Sequence, residues 1–294
     1  MSLLLGRLQF QALRRLTTAG MTAGEVVVDG VAMPYLSCGA GVPVLLIHGF
    51  GADKETWLPL TLALSRSRRV IMMDLPGFGA ATQVGSDRGH ARAQAAAVAG
   101  FADALGYYRV HLCGNSMGGG ISLRFAADYP ERVRSMALIC SAGPEVQRSE
   151  LLDILDAGLP NPLIPTSLDD ADEFLRLVME HPPRLPRSLQ HYTVARSIAR
   201  TEQNQRMWLG WRESDEADSL PVDLQAIDAP ALVIHGEHDR VIHPAVGANL
   251  ADHLANAEHV VMNGVGHVPQ IEAPRQTARL LDRFWGRFSH SSDL

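Results

Sequence analysis

Short apolar runs separated by longer stretches of helical spacing constrain this chain more than any other feature of its sequence. The runs are Val42 to Ile47, Arg69 to Met73, Val110 to Cys113, Met136 to Cys140, Ala231 to Ile234 and His259 to Met262. Strands covered on both faces read as continuous apolar runs, and a chain that alternates them with helices builds a mostly parallel sheet flanked by helices. The fold class is therefore α/β. Two earlier segments, Glu25 to Val28 and Val31 to Leu36, flank Asp29-Gly30, a two-residue hairpin signal, so the sheet is expected to open with an antiparallel pair. At 294 residues and 46% hydrophobic composition the chain supplies one large core and too little for several independent domains.

The alternation breaks between Gly143 and Pro221. No strand-like run occurs there, and prolines crowd in at 160, 162, 165, 182, 183 and 186. A helical insertion is expected, with one helix over 169–180 carrying Phe174, Leu175, Val178 and Met179 on one face and another around 192–212. The expected organisation is an N-terminal extension or amphipathic helix over 1–24, a first part of the core over 25–142, a helical cap over 143–221 and the rest of the core over 222–294. A final helix is expected from Pro274 to near Phe288, with proline in a helix-start position.

A net charge of −6 with scattered basic residues gives no phosphate-tracking surface, so nucleic acid is not an expected partner. Cys38, Cys113 and Cys140 each lie in or beside an apolar run and read as reduced, buried thiols of a reducing compartment. Within Met1 to Met21, Leu5, Leu8, Ala12 and Leu16 recur at near-helical spacing between Arg7, Arg14 and Arg15. That pattern suits an amphipathic helix, either docked on the rest of the domain or lying on a membrane surface. It lacks the continuous apolar stretch of a secretory signal, and no transmembrane run occurs elsewhere. The expected location is cytoplasmic, with weak peripheral membrane contact through this helix as the alternative.

The chemistry gathers at strand ends. Gly114-Asn115-Ser116-Met117-Gly118 follows one apolar run and precedes a helical one. This strand, tight turn and helix arrangement projects a serine hydroxyl clear of a sheet, and it needs small neighbours at Gly114, Gly118 and Gly119. A serine hydroxyl needs a base, and the base an orienting carboxylate. Asp239 follows the run ending at Ile234, and His267 follows the run ending at Met262. All three then lie on the carboxyl edge of the sheet, in the order serine, acid, histidine, where open α/β sheets place their sites. The expected roles are Ser116 as nucleophile, His267 as general base and Asp239 as its orienting acid. His48-Gly49-Phe50-Gly51, directly after Ile47, supplies a loop whose Phe50 N–H, with that of Met117, is the expected oxyanion hole.

Other polar residues near these motifs read as structural. His235, His238 and His243 surround the acid without metal-ligand spacing, so no metal and no cofactor is expected. Asp74 ends a strand and starts a turn. Glu237 is the nearest rival to Asp239 but leaves the loop two positions earlier, and Trp208 and Trp211 suit either packing of the cap or contact with a ligand.

Through His48-Gly49-Phe50-Gly51, Asp74-Leu75-Pro76-Gly77-Phe78-Gly79, the Gly114 to Gly119 segment and the Asp239 and His267 loops, the sequence resembles the α/β-hydrolase family over nearly everything from Glu25 to Phe288. Within the family it is most similar to bacterial esterases and lipases related to monoacylglycerol lipases. The resemblance implies an α/β-hydrolase fold with a helical lid and hydrolysis of a carboxylic ester or lipid through an acyl-enzyme. Relatives that hydrolyse carbon–carbon bonds of ring-cleavage products share the elbow sequence and are the alternative. Their oxyanion loop usually resembles Gly-Pro-Gly and their histidine precedes an aromatic residue, whereas here Phe50-Gly51-Ala52 and Val268-Pro269 occupy those places. Serine at 116 separates the chain from members with an aspartate nucleophile. A non-catalytic scaffold that only binds a ligand is a third reading.

Overall fold

The computed structural model describes residues 20–182, 194–213 and 223–288, apart from the side chain of Leu62. The helix expected between Leu5 and Leu16 and the start of the one expected near Tyr192 lie outside these residues. The strands are β1 (Thr22–Val28), β2 (Val31–Cys38), β3 (Pro43–Ile47), β4 (Arg69–Met73), β5 (Val110–Asn115), β6 (Val133–Ile139), β7 (Ala231–Gly236) and β8 (Ala257–Met262). The helices are α1 (Leu58–Leu64), α2 (Ala91–Ala104), α3 (Met117–Asp128), α4 (Glu150–Asp156), α5 (Ala171–Val178), α6 (Thr201–Glu213), α7 (Pro244–His253), α8 (Pro269–Glu272) and α9 (Pro274–Gly286).

One eight-stranded sheet runs in the order β1-β2-β4-β3-β5-β6-β7-β8. The hairpin β1–β2 and the pair β2–β4 are antiparallel, and every pair from β4 to β8 is parallel. The chain thus has the α/β-hydrolase architecture, a mostly parallel sheet flanked by helices. Alternate residues of the central strands feed two cores, as the two-residue period of a strand requires. Leu45, Ile47, Ile71 and Leu112 pack with α2, α3 and α7 on one face. Val44, Leu46, Val70 and Cys113 pack with α1 and α9 on the other, where Trp285 is fully buried. The edge strands β1 and β8 are partly exposed, which explains why their sequences carry Glu25, Glu258 and His259. The three cysteines are free and buried.

Every expected strand is present; β4 has the expected bounds, Arg69–Met73, and the others differ by about one to three residues at one or both ends. β6 starts earlier, at Val133, because Ser135 pairs with His111 of β5 inside the sheet, a polar pair that hides the strand from an apolar pattern. β1 begins at Thr22, within the stretch read as extension.

The segment between β6 and β7 holds no strand among its described residues. It contains α4, which the sequence reading did not anticipate, although Ser149 caps it by accepting from Leu152 N. The helix expected over 169–180 is a 3-10 turn followed by α5, and it stops at Val178. Tertiary bonds end it: Val178 O accepts from His267 N at 3.1 Å, and the N–H groups of Glu180 and His181 donate to Glu272. The helix expected around 192–212 is divided by a turn at 199–200, after which α6 runs as one piece.

His111 makes the core sensitive to acid. It is fully buried on β5; its Nδ1 lies 2.7 Å from Ser135 Oγ and its Nε2 has no partner. Burial, with the charges of Arg68, Arg134 and Arg109, lowers its pKa from 6.5 to about 3. The folded protein therefore keeps it neutral at pH values where the unfolded chain takes up a proton. Stability from this source is complete above the unfolded pKa and is lost as pH falls from there towards the folded value, at up to about 1.4 kcal/mol per pH unit. Urea unfolding of the wild-type protein and His111→Gln at several pH values should show a steeper loss below pH ~6.5 in the wild type. Equal slopes would contradict the buried neutral histidine.

Candidate active site

Ser116 joins β5 to α3 with φ 56° and ψ −120°, a left-handed conformation that a residue with a side chain rarely adopts. The surroundings enforce it. A Cβ on Gly114 would fall 2.1 Å from Gly118 O, one on Gly118 2.1 Å from Ile47 O, and one on Gly119 2.3 Å from Ser141 Oγ. The turn is held from β6 as well: Ser116 N donates to Ile139 O at 3.0 Å, and Ser116 O accepts from Ala142 N at 2.9 Å. Met117 opens α3, so its N–H belongs to the first turn, where helix donors lack intrahelical partners.

The loop after β7 carries Asp239, whose side chain has no solvent exposure. His267 Nδ1 donates to its Oδ2 at 2.8 Å, while Val241 N and Ile242 N donate to its Oδ1, each at 2.9 Å. His235 adds a further donor. Its Nε2 lies 3.1 Å from Asp239 Oδ2 and 3.0 Å from Ile242 O, and since both are acceptors, Nε2 carries the hydrogen. Burial alone would raise the pKa of Asp239, yet the opposing charge of His267 and the hydrogen bonds from His235 and His267 hold it well below the usual carboxylate range. Cys140 Sγ lies in the same cluster. Burial and the Asp239 charge push its pKa well up, so it stands there as a neutral thiol and a poor metal ligand.

The loop after β3 completes the arrangement. His48 is fully buried: its Nδ1 donates to Gly49 O at 2.8 Å and its Nε2 accepts from Leu75 N at 3.1 Å. Asp74, also buried, accepts from Lys54 N, Lys54 Nζ and Ala80 N, the structural role expected of it. A Cβ on Gly49 would lie 3.2 Å from Ser116 Cβ, so the backbone before Phe50 passes close to the serine. Phe50 stacks edge-on against Phe78 and Trp208, the latter at 5.1 Å between ring centroids.

The structure thus brings Ser116, His267 and Phe50 to the wall of one cavity and Asp239 behind the histidine. Met117 and Trp208 border the adjoining space. His243 instead caps α7 by accepting from Ala245 N, and His238 lies exposed beside Glu237. Glu237 accepts from Gly264 N rather than facing His267.

Several positioning residues escaped the sequence reading. Asn115 Nδ2 donates to both Ile139 O and His267 O, and its Oδ1 accepts from Gln270 Nε2 at 2.9 Å, joining the serine strand to the histidine loop. Glu272 Oε1 accepts from Gly266 N, and its Oε2 accepts from Glu180 N and His181 N, all at 2.9 Å. Arg240, beside the acid, pairs with Glu180 and donates to Arg176 O. These bonds tie the β6–β7 segment to the two loops that carry Asp239 and His267. The position of Asn115 between a strand and the serine was the one available signal; the rest are contacts between distant parts of the chain.

Residues 42–274 match the family described as the alpha/beta hydrolase fold. Lipase 1 of Psychrobacter immobilis is 31% identical over 265 residues, spanning 86% of this chain and 80% of that protein. Monoacylglycerol lipase ABHD6 of Bos taurus is 29% identical over 259 residues, or 85% of this chain and 77% of the relative. The 2-hydroxymuconate semialdehyde hydrolase of Pseudomonas sp. (strain CF600) is 31% identical over 269 residues, or 88% and 92% of the two chains. Among solved structures, a membrane phospholipase A described as a bacterial virulence factor superposes with a TM-score of 0.85 at 34% identity, covering 99% of this chain and 96% of that one.

Glu272 gives the histidine loop its testable feature, because one carboxylate takes three backbone donors from two segments. In Glu272→Ala those N–H groups lose their acceptor. Hydrogen exchange at Gly266, Glu180 and His181 should then accelerate by at least about tenfold, the equivalent of one hydrogen bond to a charged group. Unchanged exchange at all three would show that the carboxylate does not hold them.

Proposed function

Because this chain belongs to the alpha/beta hydrolase family, we propose that it is a serine hydrolase of carboxylic esters that uses Ser116 as nucleophile, His267 as general base and Asp239 as orienting acid. The observation that supports this reading most is the convergence of a left-handed Ser116 and a His267 bonded to a buried Asp239 on one cavity. The reading takes 143–221 as the cap over that cavity. Its relatives include lipases and a monoacylglycerol lipase, and apolar residues of the cap such as Leu163, Phe174, Leu175, Val178 and Trp208 border the serine's surroundings. The substrates proposed are short to medium acyl esters, including monoacylglycerols.

In the first step Ser116 Oγ attacks the ester carbonyl while His267 Nε2 takes its proton. The N–H groups of Phe50 and Met117 receive the developing oxyanion. The imidazolium then gives the proton to the departing alcohol, and Asp239 stabilises its charge across the Nδ1 bond. Water, deprotonated by His267, releases the acid and restores the serine. Every proton in this cycle is carried by His267, and the chain's own residues supply each role. No described helix is long and apolar enough to cross a membrane. Weak peripheral membrane contact through the leucines and arginines of residues 1–19 is part of the proposal.

The 2-hydroxymuconate semialdehyde hydrolase among the relatives keeps carbon–carbon hydrolysis as the second reading. The test is kcat/KM for nitrophenyl esters and monoacylglycerols of rising acyl length beside a vinylogous diketone acid, with Ser116→Ala as the control. Ester turnover should dominate and should fall by about a thousandfold or more in Ser116→Ala, with the fold retained. Preference for the diketone acid would favour the second reading. Failure to turn over any substrate would favour a binding scaffold.

A further inference from the structure

β7 runs Ala-Leu-Val-Ile before it reaches His235, a fully buried imidazole four residues ahead of Asp239. The Nε2 hydrogen of His235 is shared between Ile242 O at 3.0 Å and Asp239 Oδ2 at 3.1 Å. The same Oδ2 accepts from His267 Nδ1 at 2.8 Å, so two imidazoles divide one carboxylate oxygen. The other oxygen, Oδ1, is occupied by Val241 N and Ile242 N. On the far side of the His235 ring, Nδ1 has no partner and is pressed against α7, where a Cβ on Gly247 would lie 2.5 Å from it. No described group there is placed to take a second hydrogen.

A donor needed only to satisfy a buried carboxylate could stand at either oxygen, and His235 stands at the one that meets the base. Resting on the ester-hydrolase reading, we infer that His235 is a positioning residue that sets the basicity of His267 by sharing the carboxylate oxygen to which His267 Nδ1 is bonded. A carboxylate stabilises an imidazolium through the negative charge it presents, and a second N–H on the same oxygen draws part of that charge away. His267 therefore holds its proton less tightly than it would beside an undivided Oδ2, and stays neutral, able to take the serine proton, to lower pH. The two backbone donors on Oδ1 keep Asp239 ionised when His235 is lost.

Other charged and titratable groups face this pair from each side. From β6 comes Cys140, which burial and the Asp239 charge keep as a neutral thiol. In the histidine's own loop Glu272 is engaged with the backbone of Gly266, Glu180 and His181, and Glu180 itself pairs with Arg240. Across the cavity Arg196 and Arg200 meet Asp53 and Glu55. α7 carries His243, bonded to Ala245 N, and Asp252. On β8 the exposed His259 has its pKa lowered by burial and by the charge of His235, so it is the neighbour to control for.

The experiment follows kcat/KM for a nitrophenyl ester from about pH 5 to about pH 9 in the full chain, and the titration of the His267 ring in the same proteins by NMR. His235→Leu should move the acid limb and the His267 titration together to higher pH by about half a unit to one unit. At the foot of that limb the variant should lose about three- to tenfold more activity than on its plateau. His235→Gln, whose amide places an N–H near the position of Nε2, should restore both, and His259→Gln should leave both where the wild type has them. In the wild-type protein the nitrogen chemical shifts of His235 should show its hydrogen on Nε2, a reading that needs no variant to fold. An acid limb that stays in place in His235→Leu or moves to lower pH, whatever happens to the plateau, overturns the inference, as does a hydrogen found on Nδ1 alone. Absence of turnover on every ester would refute the ester-hydrolase reading itself, and the NMR titration would still decide whether His235 governs His267.

Discussion

An ionised carboxylate with no access to water is costly unless donors surround it, and Asp239 is held by four: two backbone N–H groups on one oxygen, His267 and His235 on the other. Much else in the structure follows from meeting that requirement. The loop after β7 must turn back on itself so that Val241 and Ile242 reach Oδ1. His235, the penultimate residue of β7, must carry its hydrogen on Nε2, and its ring lies so close to α7 that a Cβ on Gly247 would be 2.5 Å from Nδ1. His267 must be presented at a fixed angle, and its main chain is accordingly tied down at N–H by Val178 O and at C=O by Asn115.

Those ties make the segment between β6 and β7 part of the site's framework rather than a detached cover. Leu151 N bonds Arg240 O, Glu180 pairs with Arg240, and Glu272 spans from the histidine turn to Glu180 and His181. A motion that lifted this edge away would break these bonds, each worth a net of about 0.5–1.5 kcal/mol. The opposite side, where Arg196 meets Asp53 and Glu55 across a half-exposed ion pair, is held by weaker forces that salt screens.

What the sequence revealed and what it hid divide along a physical line. Central strands and the loops that follow them were legible because burial on both faces demands unbroken apolar runs, and an α/β sheet puts its chemistry at their carboxyl ends. Ser116, Asp239 and His267 were singled out this way, and Phe50 and Met117 with them; the structure sets Ser116, Phe50 and His267 on the wall of one cavity with Asp239 behind the histidine, and Met117 beside the adjoining space. The end of α5 at Val178 was not legible, since it depends on His267 and Glu272 claiming the backbone. Nor was the Asn115–Gln270 bond between residues 155 positions apart, because no local period records a contact of that kind. Helix α4 was missed for a different reason: seven residues among prolines form too short a periodic pattern, although the Ser149 cap was present to be read.

Ester hydrolysis by this site requires that Ser116 form a covalent bond and that the His267–Asp239 pair make it reactive. Labelling with a fluorophosphonate, followed by intact mass and peptide mapping of the wild-type protein and of His267→Ala, measures both at once. One adduct per chain is expected, on Ser116, formed at a rate that falls by about a hundredfold or more without the histidine. An adduct on another residue, or equal labelling rates with and without His267, would contradict it.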